Sequence, residues 1–281
     1  MREVHVSQIK DTVAKLMIDS SCILPDDLRA LYDEALRNET SPLGKYALEQ
    51  IVKNAEIAKK EYIPCCQDTG VAVVFIEIGQ DVHIAGGNLE EAINAGVAEG
   101  YVGGYLRKST IRDPLFDRSN PGDNTPAVIH MRMVPGDNIH IRTAPKGFGS
   151  ENKAVLKMLM PADGLEGFKK FVFESVREAG ADPCPPMVVG VGVGGTFEKC
   201  ALLAKVASMR DVGKPHPHPQ YAALEEELRD KINMTGVGPQ GFGGNYTCIK
   251  VNIEFYATHM AGLPVAVNIN CHAARHAEIT I

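Results

Sequence analysis

No two of the seven cysteines stand in a CxxC or CxxxC pair. Zinc ribbons and ferredoxin-type clusters draw ligands from such pairs, so both are disfavoured, and any metal would need ligands from distant segments. An odd cysteine number without a secretion signal also argues against a disulfide framework. No apolar run approaches the roughly 20 residues of a membrane span. The N-terminus, MREVHVSQIK, lacks the apolar stretch of a signal peptide, and a cytoplasmic location is expected. Positive charge is not in excess: the formal net charge is -6, which argues against general nucleic-acid binding. An anionic substrate would therefore need a local basic pocket. Repeats, coiled coils, low-complexity tracts and composition shifts are also missing. A chain of 281 residues that shows none of them reads as a single domain over residues 1–281.

What is present begins with helices. Ile9, Val13, Leu16 and Met17 follow helical spacing, as do Leu28, Leu31, Tyr32 and Ala35. Ser41-Pro42 is a cap followed by proline at the first helical position. Residues 1–60 read as a helical scaffold and 61–281 as mixed α and β, giving an α+β fold with a mixed or antiparallel sheet and flanking helices. VAVVFIEIG reads as a buried strand and Asn88 as the cap of a helix. AVIHMRMV and NIHIRTA, joined by Pro135-Gly136-Asp137, read as a β-hairpin. APKGFGSENK opens a helix at about Lys153, a second helix spans Leu165 to Ala179, and MVVGVGVGG is a strand leading to a helix from about Phe197. After a break at KPHPHPQ, Ala222 to Lys231 is an amphipathic helix, and two strands close the chain.

Three glycine-rich loops invite a ligand reading. GVGVGG lacks the GxGxxG spacing and has no Walker lysine, so close packing is the better account than a nucleotide turn. Lys146-Gly147-Phe148-Gly149-Ser150 stands before the expected helix, whose N-terminal amides would favour an anion; a plain turn is the alternative. GVGPQGFGGN is the third. His216 and His218 lie two apart in a proline-rich segment and read as a surface turn. His130 and His140 read as ordinary strand residues. His259, at a strand end, is by itself more often structural than catalytic.

Cysteine placement is more informative. Cys66, Cys184 and Cys271 lie at element boundaries, in CQDTG, DPCPP and NINCHAARH, where a thiol can point into a cleft. Cys200 and Cys248 lie inside an expected helix and strand, Cys22 in an apolar patch, and Cys65 beside Cys66 on an extended chain that turns adjacent residues to opposite faces.

The segments PCCQDTG, LRKS, GDNTPA, KGFGSENK, DPCPP, GVGGTFEK, GFGG and NINCHAARH run in one order from about residue 62 to the end. In that order they resemble the α-subunit, or N-terminal domain, of class I iron–sulfur fumarate hydratases and the related L(+)-tartrate dehydratases. The resemblance implies a [4Fe–4S] cluster on Cys66, Cys184 and Cys271. Three ligands for four irons leave one iron open to substrate oxygens, as a Lewis acid that polarises the C–O bond. It further implies that Arg107 holds a substrate carboxylate and that Gln67, Asp68 and the backbone of Gly149 contact substrate. Asp68 and His259 would form the catalytic polar pair near the reacting hydroxyl. SENK departs from the SANK of some relatives.

The family's remaining substrate arginines, its lysine and its proposed threonine base lie in a C-terminal domain that has no counterpart here. A separate β-subunit is therefore expected, in an α2β2 heterotetramer acting on a small dicarboxylate, with no nucleic acid or membrane partner. The expected reaction is reversible hydration of fumarate to (S)-malate, with L(+)-tartrate dehydration to oxaloacetate as the alternative. An iron–sulfur electron carrier or redox sensor, which would need four protein ligands, is a more distant reading. A nucleotide module built on GVGVGG is the third.

Overall fold

The computed structural model describes residues 1–281, and the backbone gathers into two compact units. The first comprises Met1–Pro25, Ala55–Phe148 and Arg275–Ile281; the second comprises Asp26–Asn54 and Gly149–Ala274. In chain order the elements begin β1 (Arg2–His5), α1 (Val6–Cys22), α2 (Asp26–Asn38), α3 (Pro42–Glu61), β2 (Val71–Gly79), β3 (Val82–Ala85) and α4 (Leu89–Gly103). They continue β4 (Val128–Val134), β5 (Ile139–Lys146), α5 (Phe148–Glu151), β6 (Val155–Leu159), α6 (Gly164–Ala179), β7 (Met187–Gly194) and α7 (Phe197–Ala207). The chain ends α8 (Pro219–Asn233), β8 (Cys248–Tyr256), β9 (Leu263–Asn270) and β10 (Ala277–Thr280). The fold is α+β, as expected. No helix is long and apolar enough to cross a membrane.

In the first unit, four strands lie in the order β10-β5-β2-β4. Val74 and Ile76 of β2 and Ile139 and Ile141 of β5 point into a core with Ile9, Val13 and Met17 of α1 and Ile93, Val97 and Tyr101 of α4. The helical spacing of those residues places them on one stripe, and the period-two alternation of the strands gives the matching face. Asn88 caps α4 by accepting the Glu91 N–H at 3.0 Å.

In the second unit the sheet order is β6-β9-β7-β8. One face of β7, through Val189 and Val191, packs with Val172 and Val176 of α6 and Leu228 and Ile232 of α8. The other face presents Gly190 and Gly192 to α7, where an added Cβ would strike the helix backbone.

Four local expectations are corrected. β4 and β5 do not pair as a hairpin. Both pair with β2, β4 in parallel and β5 antiparallel, so β2 lies between them. The Pro135-Gly136-Asp137 turn instead crosses the end of β2, with Asp81 N–H donating to Gly136 O at 3.0 Å and Gly79 N–H to Asn138 O at 2.9 Å. The largely apolar β2 hides both edges best at the centre of a sheet, and that outweighs the local turn signal. The helix expected from Lys153 is absent: α5 has four residues, and VLKML forms β6 against β9. Residues 2–5, read as helical scaffold, form β1, parallel to β3, with Val4 buried. His216 is no surface turn residue. It is 7% exposed, its ring tilted against those of Tyr221 and Phe255, and its Nδ1 accepts the His218 N–H at 2.9 Å.

Candidate active site

In the first unit, the CQDTG segment enters β2 and is fastened to the LRKS segment by buried polar groups. Thr69 Oγ1 donates to Arg107 O at 2.9 Å, and the buried Tyr101 hydroxyl donates to Thr69 O at 2.7 Å. Burial pushes the Tyr101 phenol well above its ordinary value, so it stays a donor. Asn124, fully buried, accepts the Ser109 N–H at 2.6 Å and donates to Gly70 O at 3.1 Å. These bonds place Gln67, Asp68 and Arg107 on joined loops. The Gln67 and Arg107 side chains reach solvent.

Asp68 is held more tightly. Its Oδ1 accepts the Gly70 N–H and its Oδ2 the Phe148 N–H, each at 3.0 Å. The anion that the Phe148 N–H meets at the start of α5 is thus the protein's own Asp68 carboxylate. A Cβ on Gly147 would stand 3.1 Å from Asp68 Oδ2 and 3.3 Å from Arg275 Nη2. Arg275, only 5% exposed, therefore puts a cation beside the Asp68 carboxylate, and Lys146 is buried next to the same glycine. Asp68→Asn leaves one acceptor oxygen for two backbone N–H donors. We expect it to lower unfolding free energy by about 0.5–1.5 kcal/mol, the net worth of one hydrogen bond, measured by urea titration.

In the second unit, Cys184 and Cys271 belong to adjoining segments. The N–H of His272 donates to Cys184 O at 3.0 Å. Cys184 holds a left-handed backbone (φ 56°) in the DPCPP turn, and Cys271 directly follows β9. His259 is exposed beyond β8, its Nδ1 accepting the Ala261 N–H at 3.1 Å. Gly149 is exposed at the start of this unit. Two residues on, the Glu151 carboxylate accepts from Lys205 Nζ at 2.5 Å and from Asn268 Nδ2 at 2.9 Å. This gives SENK's glutamate a role that the sequence did not reveal. Cys66 belongs to the first unit and Cys184 and Cys271 to the second.

All seven cysteines are outside disulfides. Burial pushes the thiols of Cys22 and Cys200 up to about 11 and that of Cys248 up to about 12. Thiolate is the ligating form, so these three are poor ligands. Cys66 and Cys271 are partly exposed and Cys184 is exposed, so the donor set fits thiolate ligation of a metal group. Burial does not separate Cys65 from Cys66, since both are partly exposed. Their backbones differ: the Cys65 N–H is tied to Ser21 O at 3.0 Å.

The profile of the fumarate hydratase (Fumerase) family matches residues 10–280. The chain belongs to this family. A Methanocaldococcus jannaschii protein provisionally named L(+)-tartrate dehydratase subunit alpha is 39% identical over 274 residues, covering 96% of each chain. The L(+)-tartrate dehydratase subunit alpha of Escherichia coli (strain UTI89) is 34% identical over 289 residues, covering 99% of this chain and 94% of its own. That of strain K12 is 33% identical over the same shares. The ordered segments that carried the resemblance lie within the matched range. Fumerase membership was legible in them. Arg275 and Tyr101, beside the CQDTG segment, and Gln240, beside DPCPP, were not singled out.

Proposed function

We propose that this chain is the α-subunit of a two-chain iron–sulfur hydro-lyase, and that its leading reaction is dehydration of L(+)-tartrate to oxaloacetate. The observation that carries the reading is the name borne by relatives alignable over nearly the whole of both chains, subunit alpha of an L(+)-tartrate dehydratase. Cys66, Cys184 and Cys271 would hold a [4Fe–4S] cluster. When bound, the cluster supplies a Lewis acid through an iron without a protein ligand.

The chain's own residues carry the rest. Arg107, whose backbone is fixed by Thr69, reaches out with a planar fork that suits a carboxylate. Gln67 and the Gly149 backbone offer hydrogen bonds to substrate oxygens. Asp68 and His259 shape the hydroxyl end. The carbon-bound proton would be taken by a base on a β-subunit, in an α2β2 assembly in the cytoplasm.

Hydration of fumarate to (S)-malate is the second reading, favoured by the family description. It removes one substrate hydroxyl, and a pocket built to bond that hydroxyl discriminates strongly. Co-expression with a β-type partner under anaerobic conditions, followed by kcat/KM for L(+)-tartrate and (S)-malate, separates the two. A higher value for (S)-malate reverses the order, and turnover of neither sinks the hydro-lyase reading. In that enzyme, Arg107→Lys should lower kcat/KM by about 10–100-fold, chiefly through KM, because a charge-assisted bidentate contact is worth ~1.5–3 kcal/mol.

A further inference from the structure

The DPCPP turn has an unusual hydrogen-bond balance. Pro183, Pro185 and Pro186 provide no N–H, yet their carbonyls and that of Cys184 still need donors. The donors come from two other segments. His272 N–H serves Cys184 O at 3.0 Å. Pro185 O accepts twice from one residue, from Gln240 N–H at 2.8 Å and from Gln240 Nε2 at 2.7 Å. The same amide nitrogen lies 3.1 Å from His272 Nδ1, which in turn lies 3.3 Å from Cys184 O. The far side of His272 is fixed as well, because the fully buried Tyr32 hydroxyl donates to His272 O at 2.5 Å.

Gln240 belongs to GVGPQGFGGN, the third glycine loop, and its backbone is left-handed (φ 54°, ψ 18°). Cys184 is left-handed too. A non-glycine residue in that region costs free energy and persists where surrounding contacts over-determine it. Here the contacts join the two strained residues' segments to each other. Gly241 allows the approach: a Cβ there would lie 2.6 Å from Ala181 Cβ, on the residue whose carbonyl accepts the Cys184 N–H.

We infer that Gln240 is a positioning residue that holds the Cys184 and Cys271 segments together, ready to receive a metal group. It clamps Pro185 beside the first cysteine and His272 beside the second. The inference rests on the cluster reading proposed above. Partners of this kind fix ligand orientation, and their loss weakens metal retention about 10–100-fold.

The test uses the full chain, reconstituted anaerobically with iron and sulfide and then challenged with a ferrous chelator. Gln240→Gly keeps the backbone N–H to Pro185 O and relieves the left-handed strain, so its thermal midpoint should equal or exceed the parent's. Its iron should nevertheless leave at least about tenfold faster. Gln240→Glu preserves size, removes both amide donors and should show the same loss. Iron release within twofold of the parent in both variants overturns the inference and leaves the cluster reading intact. A parent chain that takes up no iron overturns the cluster reading, and the inference with it.

Discussion

Under the proposed cluster assignment, serine at Cys66, Cys184 or Cys271 is expected to remove the cluster and lower kcat of the enzyme assembled with a β-type partner by on the order of 10³ or more. A Lewis acid is worth several kcal/mol of transition-state stabilisation, and each 1.36 kcal/mol is tenfold in rate. The fall should come with loss of bound iron and sulfide and of visible absorption, at little cost in unfolding midpoint, because all three thiols are at least partly exposed. The controls are built into the chain. Cys200 Sγ lies 3.2 Å from Gly192 O, and Cys248 Sγ lies 3.2 Å from Lys250 O. A serine hydroxyl can make either bond. Cys200→Ser and Cys248→Ser should keep cluster and activity, losing only about 1 kcal/mol or so of stability through the smaller, more polar side chain. Cys65→Ser is the sharpest comparison, since burial treats Cys65 and Cys66 alike. Retention of the cluster by Cys65→Ser and its loss by Cys66→Ser is the expected pair. The reverse would move the first ligand by one residue.

The parts of the fold that were legible are those where local pattern and final environment agree. α1 follows Ile9, Val13 and Leu16, and α3 begins at Pro42, because an amphipathic stripe and a proline at the first turn are local facts. β7 followed by α7 was legible for the same reason. β4 and β5 were not, because the partner of a strand is a non-local choice. The turn at Pro135-Gly136-Asp137 spoke for a hairpin, and only the burial of β2 between the two strands overrides it. The lost helix at Lys153 has a similar cause. VLKML is short, and its pairing to β9 decides its state.

The candidate site divides along the same line. Residues proposed to carry chemistry in their side chains, such as Cys66, Asp68 and Arg107, sit in short segments whose order is recognisable. Residues that act on backbone carbonyls leave no local mark. Gln240 bonds Pro185 O, Tyr101 bonds Thr69 O and Tyr32 bonds His272 O. Any donor at the right distance would read the same in sequence. Arg275 stood in plain view, four residues after Cys271, yet nothing in HAARH distinguishes an arginine turned to Asp68 from one turned to solvent. The only usable signal was indirect: three prolines around Cys184 announce carbonyls that some other segment must satisfy.

GVGVGG supplies the second large effect, and its direction decides what the motif is for. A Cβ on Gly192 would lie 2.2 Å from Cys200 O and 2.6 Å from Ala204 N, and one on Gly190 would lie 2.3 Å from Ala204 O and 2.4 Å from Ser208 N. Those atoms are helix backbone, which cannot rotate aside as a side chain can. α7 would have to retreat from β7, opening the contact that buries Cys200 and Ala204. Gly192→Ala and Gly190→Ala should therefore each cost about 3 kcal/mol, the upper end of overpacking penalties. The double variant should consume a large share of the ~5–15 kcal/mol by which a native chain is stable. Urea unfolding of the full chain measures it. Gly103→Ala, at the end of α4 with open space around its missing Cβ, should be neutral or slightly stabilising under the same titration. Glycines that cradle a phosphate give the opposite pattern, since a methyl there blocks the ligand and spares the fold. Large losses of stability at Gly190 and Gly192, with no nucleotide bound by the parent, would mean that the loop's resemblance to a dinucleotide turn comes from close strand–helix packing alone. Glycine is selected there by the helix's approach to the strand.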